Sequence, residues 1–236
     1  MTKLVNIISL DDFSKELRYD MTLLNDEQLD YESLSIEELL RWANLTFKDD
    51  LILAASFQDV TMIDIVTKVI PDIKIVFIDT GSHFKETTEF VNYIKNRYNL
   101  NLIVIKPDVG VDEYPCGSGD CCKFRKVEPF NKYLKDYGVK AWISGIKRVD
   151  TPERADAPVV GWDDSKGLYK INPIVTWDDS DVEAYSKTNK LPQHPLVSKG
   201  YLSIGCAPTT RPVEAGKDAR SGRWANMDKT ECGLHI

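Results

Sequence analysis

Four short apolar runs constrain this chain more than any other feature: "LILAA" (51–55), "IKIVFI" (73–78), "NLIVIK" (101–106) and "AWISGI" (141–146). Each is apolar on both faces, so each must be covered on both sides, as in a parallel sheet with helices above and below. Parallel strands need long crossovers, and the intervening segments supply them. "TMIDIVTKVI" (61–70) is helical and stops at Pro71; the segment after "DTGSHF" offers Phe90, Val91, Ile94 and Tyr98 on one face; 124–137 is again helical. "LYKINPIV" (168–175) reads as a fifth strand and "SDVEAYSKTN" (180–189) as a further helix. Upstream, residues 11–47 read as helical, with Leu34, Ile36, Leu39, Leu40 and Trp42 in a buried stripe. The expectation is one α/β domain: a helical N-terminal part (1–47), a parallel-sheet core (48–190) and a C-terminal arm (191–236). That arm is rich in Pro, Gly and Arg and weakly periodic, hence either disordered or folded over a site.

The net charge of −7 argues against a general nucleic-acid binder, although local arginines can still serve a small anion. No apolar run reaches the roughly 18 residues of a spanning helix. The start, "MTKLVNIISLDDF", turns acidic too early for a secretory signal, so a cytoplasmic protein without a membrane partner is expected. Its five cysteines, Cys116, Cys121, Cys122, Cys206 and Cys232, are then free thiols rather than a disulfide framework. They act as buried filler, metal ligands or redox nucleophiles. Whether the chain forms a homo-oligomer is left open.

Ligands of doubly wound sheets sit beyond the carboxyl ends of the strands. "SFQD" (56–59) follows the first strand, with Ser56 beside a helix start that favours an anion; helix capping by Asp59 is the plain alternative. "DTGSHF" (79–84) brings Asp79 and Thr80 to the same edge, and "SGIKRVDTPERA" (144–155) brings Lys147, Arg148 and Arg154. These are either phosphate or sulfate ligands or a solvated loop. His83 and His194 read as structural.

Two thiol-bearing stretches are more specific. In "GDCCKFRK" (119–126), Cys121 and Cys122 open a helix beside Lys123, Arg125 and Lys126. A helix start and nearby cations both lower a thiol pKa. Charged flanks favour metal or cluster ligation over core filler, and an adjacent pair needs thiols from elsewhere; Cys206 in "YLSIGCAPTTRPV" (201–213) is the candidate. In the terminal "KTECGLHI", Cys232 and His235 lie on a polar arm, where a thiol can act as a nucleophile or be incidental to a frayed end. "DARSGRW" (218–224) adds Arg220 and Arg223, spaced to clamp a polyanion.

"FIDTGSHFKET", "CCKFRKVEP", "GYLSIGC", "SGRW" and "ECGLH", in that order, resemble the assimilatory sulfonucleotide reductases, the adenylyl-sulfate and phosphoadenylyl-sulfate reductases. The resemblance covers nearly all of the chain from about residue 40. It implies a Rossmann-like sheet of the adenine nucleotide α-hydrolase type with a C-terminal catalytic arm. It further implies that Cys232 attacks the sulfonucleotide sulfur to leave an S-sulfocysteine, and that thioredoxin or a glutaredoxin releases sulfite. Lys126, Arg154, Arg220 and Arg223 would hold the phosphosulfate, Ser56 and the backbone at Ile78 would line the nucleotide site, and His235 would influence Cys232.

Cluster-bearing members of that family show Cys-Cys followed by Cys-x-x-Cys and mostly use adenylyl sulfate; members without a cluster lack all four and mostly use the 3′-phosphorylated substrate. Here Cys121, Cys122 and Cys206 are present and Thr209 stands in the fourth place. The implied [4Fe-4S] cluster would be labile, or completed by Cys116, for which the family pattern offers no precedent; otherwise the three cysteines are remnants. The retained pair favours adenylyl sulfate, with phosphoadenylyl sulfate as the alternative. An ATP pyrophosphatase of the same fold would need a Ser-Gly-Gly-type loop where this chain has "ASFQD", and a non-catalytic metal-binding relative would not need Cys232. "SFQD" also looks one or two residues shorter than the usual nucleotide loop.

Overall fold

The structure is a computed structural model describing residues 29–224, 227 and 229–235. Of the helical stretch expected over 11–47, residues 11–28 lie outside those described, and 29–35 form a turn rather than a helix. The first helix, α1 (Ile36–Phe47), opens on a capping box between Ser35 and Glu38 and buries Leu39, Leu40, Trp42 and Ala43. Then follow β1 (Leu51–Ala54), α2 (Thr61–Val69), β2 (Lys74–Ile78), α3 (Lys85–Tyr98) and β3 (Leu102–Ile105). The second half holds α4 (Glu128–Asp136), β4 (Ala141–Ile143), β5 (Val160–Asp163), β6 (Leu168–Ile171) and α5 (Asp179–Thr188).

The strands form one sheet in the order β3-β2-β1-β4-β6-β5, parallel except for β5, which runs antiparallel to β6. Two strands are shorter than their apolar runs. β6 stops at Ile171, short of Pro173, which has no N–H for a ladder; β4 stops at Ile143, and the Ser144 hydroxyl turns to the Asn172 side chain at 2.6 Å. β5 was not expected, because "VGWD" is four residues long, contains Gly161 and exposes Trp162, leaving no apolar pattern to read.

The two faces of the sheet are covered unequally. One carries α1, α2 and α3, with Tyr185 of α5 packed against the same cluster of Leu40, Ile63, Phe77 and Ile94. On the other, Ile52, Val76, Ile78 and Trp142 meet Phe130, Tyr133 and Leu134 of α4, and the remaining cover comes from Leu234, two residues from the chain end. Chain order reverses between β1 and β4, so the crevice at their carboxyl ends is the position where such sheets take ligands. No helix among the described residues is long and apolar enough to cross a membrane.

Candidate active site

The C-terminal arm is docked, not frayed. Leu234 is 4 % exposed and packs into the second core cluster, a burial worth about 2 kcal/mol. The His235 ring stacks on Trp142 of β4 at 5.4 Å, and its carbonyl accepts from Lys170 Nζ at 3.0 Å. Between these anchors and Glu231, Cys232 is held half-buried with its Sγ 3.5 Å from Lys126 Nζ. Burial pushes this thiol up, but the Lys126 charge, the Leu234 backbone N–H and Arg223 outweigh it, and the net effect lowers its pKa. The arrangement favours a thiolate, the nucleophilic form.

Two of the cations around Cys232, Arg154 and Arg220, are themselves anchored by acids. Arg154 is buried and bridges Asp150 at 2.7 Å and Glu231 at 2.6 Å. Glu231 also accepts from the Thr151 hydroxyl at 3.2 Å and faces Arg220 at 3.6 Å, while Arg220 donates to the Thr230 carbonyl at 2.9 Å. Arg223 lies over the Trp224 ring at 4.5 Å and donates to the Ser203 hydroxyl at 3.3 Å. The buried Arg154 Nε, Arg223 Nε and His235 Nδ1 have no hydrogen-bond partner among the described residues. Unsatisfied buried donors are rare in folded proteins and suit a site made for an anion. His235 is neutral: burial first, then Lys170, Arg154, Lys126 and Lys166, hold it well below the ordinary imidazole value.

Of the three basic residues expected beyond β4, only Arg154 joins this site. Lys147 pairs with Asp150 at 3.0 Å and Asp179 at 2.6 Å, and Arg148 pairs with Glu32 and donates to the Ala157 carbonyl at 2.9 Å. Ser56 is exposed at the end of β1; the N-cap residue of α2 is Val60 rather than the expected Asp59, whose carboxylate accepts from Thr61 N at 2.9 Å one residue upstream of the cap. The same loop is tied to the arm through Gln58, whose Oε1 accepts from Ile204 N at 2.9 Å. The Ile78 carbonyl is engaged by His83 Nε2 at 3.0 Å. His194 is buried against Thr87 at 3.0 Å, and burial lowers its pKa to about 4; both histidines are structural.

The other four cysteines gather at a second cavity. Cys116, Cys121, Cys122 and Cys206 line it with Thr80, Ser82, Arg125 and Lys126, around about 250 Å³ of empty space partly open to solvent. Cys121 and Cys122 precede a π-helical turn (Lys123–Val127), an irregularity common at functional sites, which runs into α4. The turn sends its cations three ways. Arg125 is buried and donates to the Thr80 and Tyr114 carbonyls and the Ser82 hydroxyl, Lys126 reaches Cys232, and Lys123 is exposed over Phe124. The Cys206 thiol is lowered to about 5 because Cys116 donates to it, against burial and with help from Thr80, His83 and Lys126; Cys116 is pushed up correspondingly. Burial and then the neighbouring Cys121 raise Cys122 to about 11.

Comparison with known proteins gives the family. The family model of the phosphoadenosine phosphosulfate reductase domain matches residues 51–212. The chain belongs to this sulfonucleotide reductase family. An adenosine 5′-phosphosulfate reductase of Mycolicibacterium smegmatis is 41% identical over 211 residues, covering 86% of this chain and 89% of the relative. One from Mycobacteroides abscessus is 38% identical, covering 97% of this chain and 99% of the relative. Among solved structures, phosphoadenylyl-sulfate reductase from Candida auris, in a phosphate complex, has a TM-score of 0.67 and 27% identity, covering 86% of this chain and 98% of that one. Candida glabrata FMN adenylyltransferase, at TM-score 0.60 and 18% identity over 87% of this chain and 78% of that one, shares the fold.

Two members of this reductase site escaped sequence reasoning. Lys170 was read only as part of a strand; its signal is a lone cation among apolar neighbours. Burial, then Lys166, lowers its pKa to about 8. Glu231 was noted only as part of a motif, yet its carboxylate joins Arg154 to Arg220. The "SGRW" glycine has a steric reason: a Cβ at Gly222 would run into the Arg211 carbonyl, where Arg211 N donates to Gly222 O at 2.8 Å. Gly222→Ala is therefore expected to cost about 1–3 kcal/mol and lower Tm by several degrees, measured by thermal unfolding. An unchanged Tm would mean that the segments around Arg211 and Gly222 separate freely.

Proposed function

We propose that this reductase converts adenylyl sulfate to sulfite and AMP, the chemistry of assimilatory sulfate reduction, through Cys232. The observation that carries the proposal is a single thiol held 3.5 Å from Lys126 Nζ at the edge of an adenine-nucleotide fold, within a set of anchored arginines. The Cys232 thiolate attacks the sulfur, an S–S bond forms, the S–O bond breaks, and AMP leaves with the bonding pair. Lys126, Arg154, Arg220 and Arg223 neutralise charge gathering on the departing phosphate. His235, neutral and stacked, positions the arm and presents Nδ1 to a substrate oxygen. Ser56 and the backbone at Ile78 line the nucleotide side.

The enzyme now carries Cys232–S–SO₃⁻. A thiolate of thioredoxin or a glutaredoxin attacks Cys232 Sγ, sulfite leaves, and the resulting mixed disulfide is resolved by a second donor thiol. The donor supplies two electrons, which the sulfur of the substrate gains on passing to sulfite. Five free thiols suit the reducing cytoplasm in which such donors work.

Among the described residues, no three His, Cys, Asp or Glu converge where a single ion would sit. An iron–sulfur cubane makes a different demand, since each thiolate binds its own iron and the sulfurs stand apart around the core. Cys121, Cys122 and Cys206 lining one cavity from two segments, with Gly117 N–H 3.4 Å from Cys121 Sγ and the Thr80 hydroxyl 3.4 Å from Cys206 Sγ, fit that demand. Bound there, a [4Fe-4S] cluster would supply a compact electronegative body beside Lys126.

The relatives named adenosine 5′-phosphosulfate reductases support the unphosphorylated substrate. Steady-state assays with each sulfonucleotide are expected to give kcat/KM at least about 100-fold higher for adenylyl sulfate, a difference of about 2.7 kcal/mol. A higher value for phosphoadenylyl sulfate would overturn the substrate assignment while leaving the Cys232 chemistry intact.

A further inference from the structure

We propose that Cys116 is the fourth ligand of the [4Fe-4S] cluster, replacing the thiolate that the chain lacks at position 209. This rests on the cluster reading above. Four thiols line the cavity and Cys116 is one of them, whereas Thr209 is not among the lining residues. Cys116 Sγ lies 3.8 Å from the Thr209 hydroxyl, so it stands beside the side chain whose place it takes. The Thr209 hydroxyl is directed at the Cys206 carbonyl at 3.5 Å, and its amide donates to the same carbonyl at 3.2 Å.

The backbone explains how a residue so close in sequence to Cys121 comes to line the same cavity as a separate segment. Gly117 adopts φ 100°, a conformation costly for any residue with a Cβ, and reverses the chain directly after Cys116. Ser118 N then donates to the Pro115 carbonyl at 3.0 Å, closing a turn, and Gly117 N–H points at Cys121 Sγ. The ligands thus come from three segments: the turn at Cys116, the helix start at Cys121 and Cys122, and the turn at Cys206. The two adjacent thiols are 3.9 Å apart. Arg125, buried behind the cavity and bonded to Thr80, Ser82 and Tyr114, balances the negative charge of a four-thiolate cluster.

The test is iron, acid-labile sulfide and the visible charge-transfer band of the full chain, purified and reconstituted without oxygen. The wild type and Thr209→Ala are each expected to hold about four iron and four sulfide per chain. Cys116→Ser is expected to lose at least one iron in four, with a weakened band. The double variant Cys116→Ser/Thr209→Cys, which moves the thiol back, is expected to recover both. Full iron and sulfide in Cys116→Ser, or their loss in Thr209→Ala, would overturn the ligand assignment and leave the cluster reading standing. If Cys116→Ser fails to fold by circular dichroism, Cys116→Ala is measured in its place: a folded protein that has lost iron supports the assignment, and one with full iron and sulfide overturns it. A wild type without iron or sulfide would overturn the cluster itself, and Cys116 with it, while sulfite release through Cys232 is scored independently.

Discussion

Replacing Cys232 by serine is expected to reduce sulfite release by at least about 10⁴-fold while sulfonucleotide binding persists. The serine oxygen would occupy nearly the same place beside Lys126. A hydroxyl there stays protonated at neutral pH and is a far poorer nucleophile toward sulfur, so the loss falls on kcat rather than on binding. The wild type, incubated with adenylyl sulfate and no thiol donor, should gain the mass of one SO₃ group on the peptide containing Cys232, and the serine variant none. Turnover within tenfold of the wild type would remove Cys232 from the reaction. The chain would then be a binding relative of the reductases.

The second large effect concerns Lys126, which lines the cysteine cavity and also reaches the nucleophile. Lys126→Met is expected to lower kcat by about 10²–10³-fold, because it removes positive charge from the departing phosphate in a partly buried site. It should also change the pH dependence. Burial alone raises the Cys232 thiol pKa, and Lys126 is the foremost influence pulling it down. Without the cation the folded-state pKa rises, the thiolate forms only at higher pH, and the acidic limb of the kcat/KM profile moves upward. Alkylation of Cys232 followed against pH reports the same shift without substrate. A limb that stays in place would mean that Lys126 acts on the phosphate alone.

Much of the fold was legible because its strands are buried on both sides. Continuous apolar runs such as "IKIVFI" have few alternatives in a chain of alternating helices, and β2 and α3 lie within a residue or two of their expected places. The strand that escaped, β5, is a short sheet edge with an exposed tryptophan, so neither periodicity nor burial marked it. Motif residues were legible as a set because each is chemically unusual where it stands: adjacent cysteines among cations, arginines three residues apart, a thiol near a terminus.

The sequence by itself determined the parallel strands of the sheet, its helical layers, the candidate nucleophile and the absence of a thiol at position 209. Those follow from local composition and from residue identity. Only the tertiary structure decided which cations face which thiol. Lys123, Arg125 and Lys126 are near neighbours in the chain, yet the π-helical turn points one to solvent, one into the cysteine cavity and one at Cys232. It also decided that Lys147 and Arg148 serve ion pairs rather than the site, and that Leu234 and His235 close the thinly covered face of the sheet. Cys116 belongs with these: a positive-φ turn at Gly117 carries it to the cavity wall beside Thr209, a placement that depends on a contact 93 residues away in the chain.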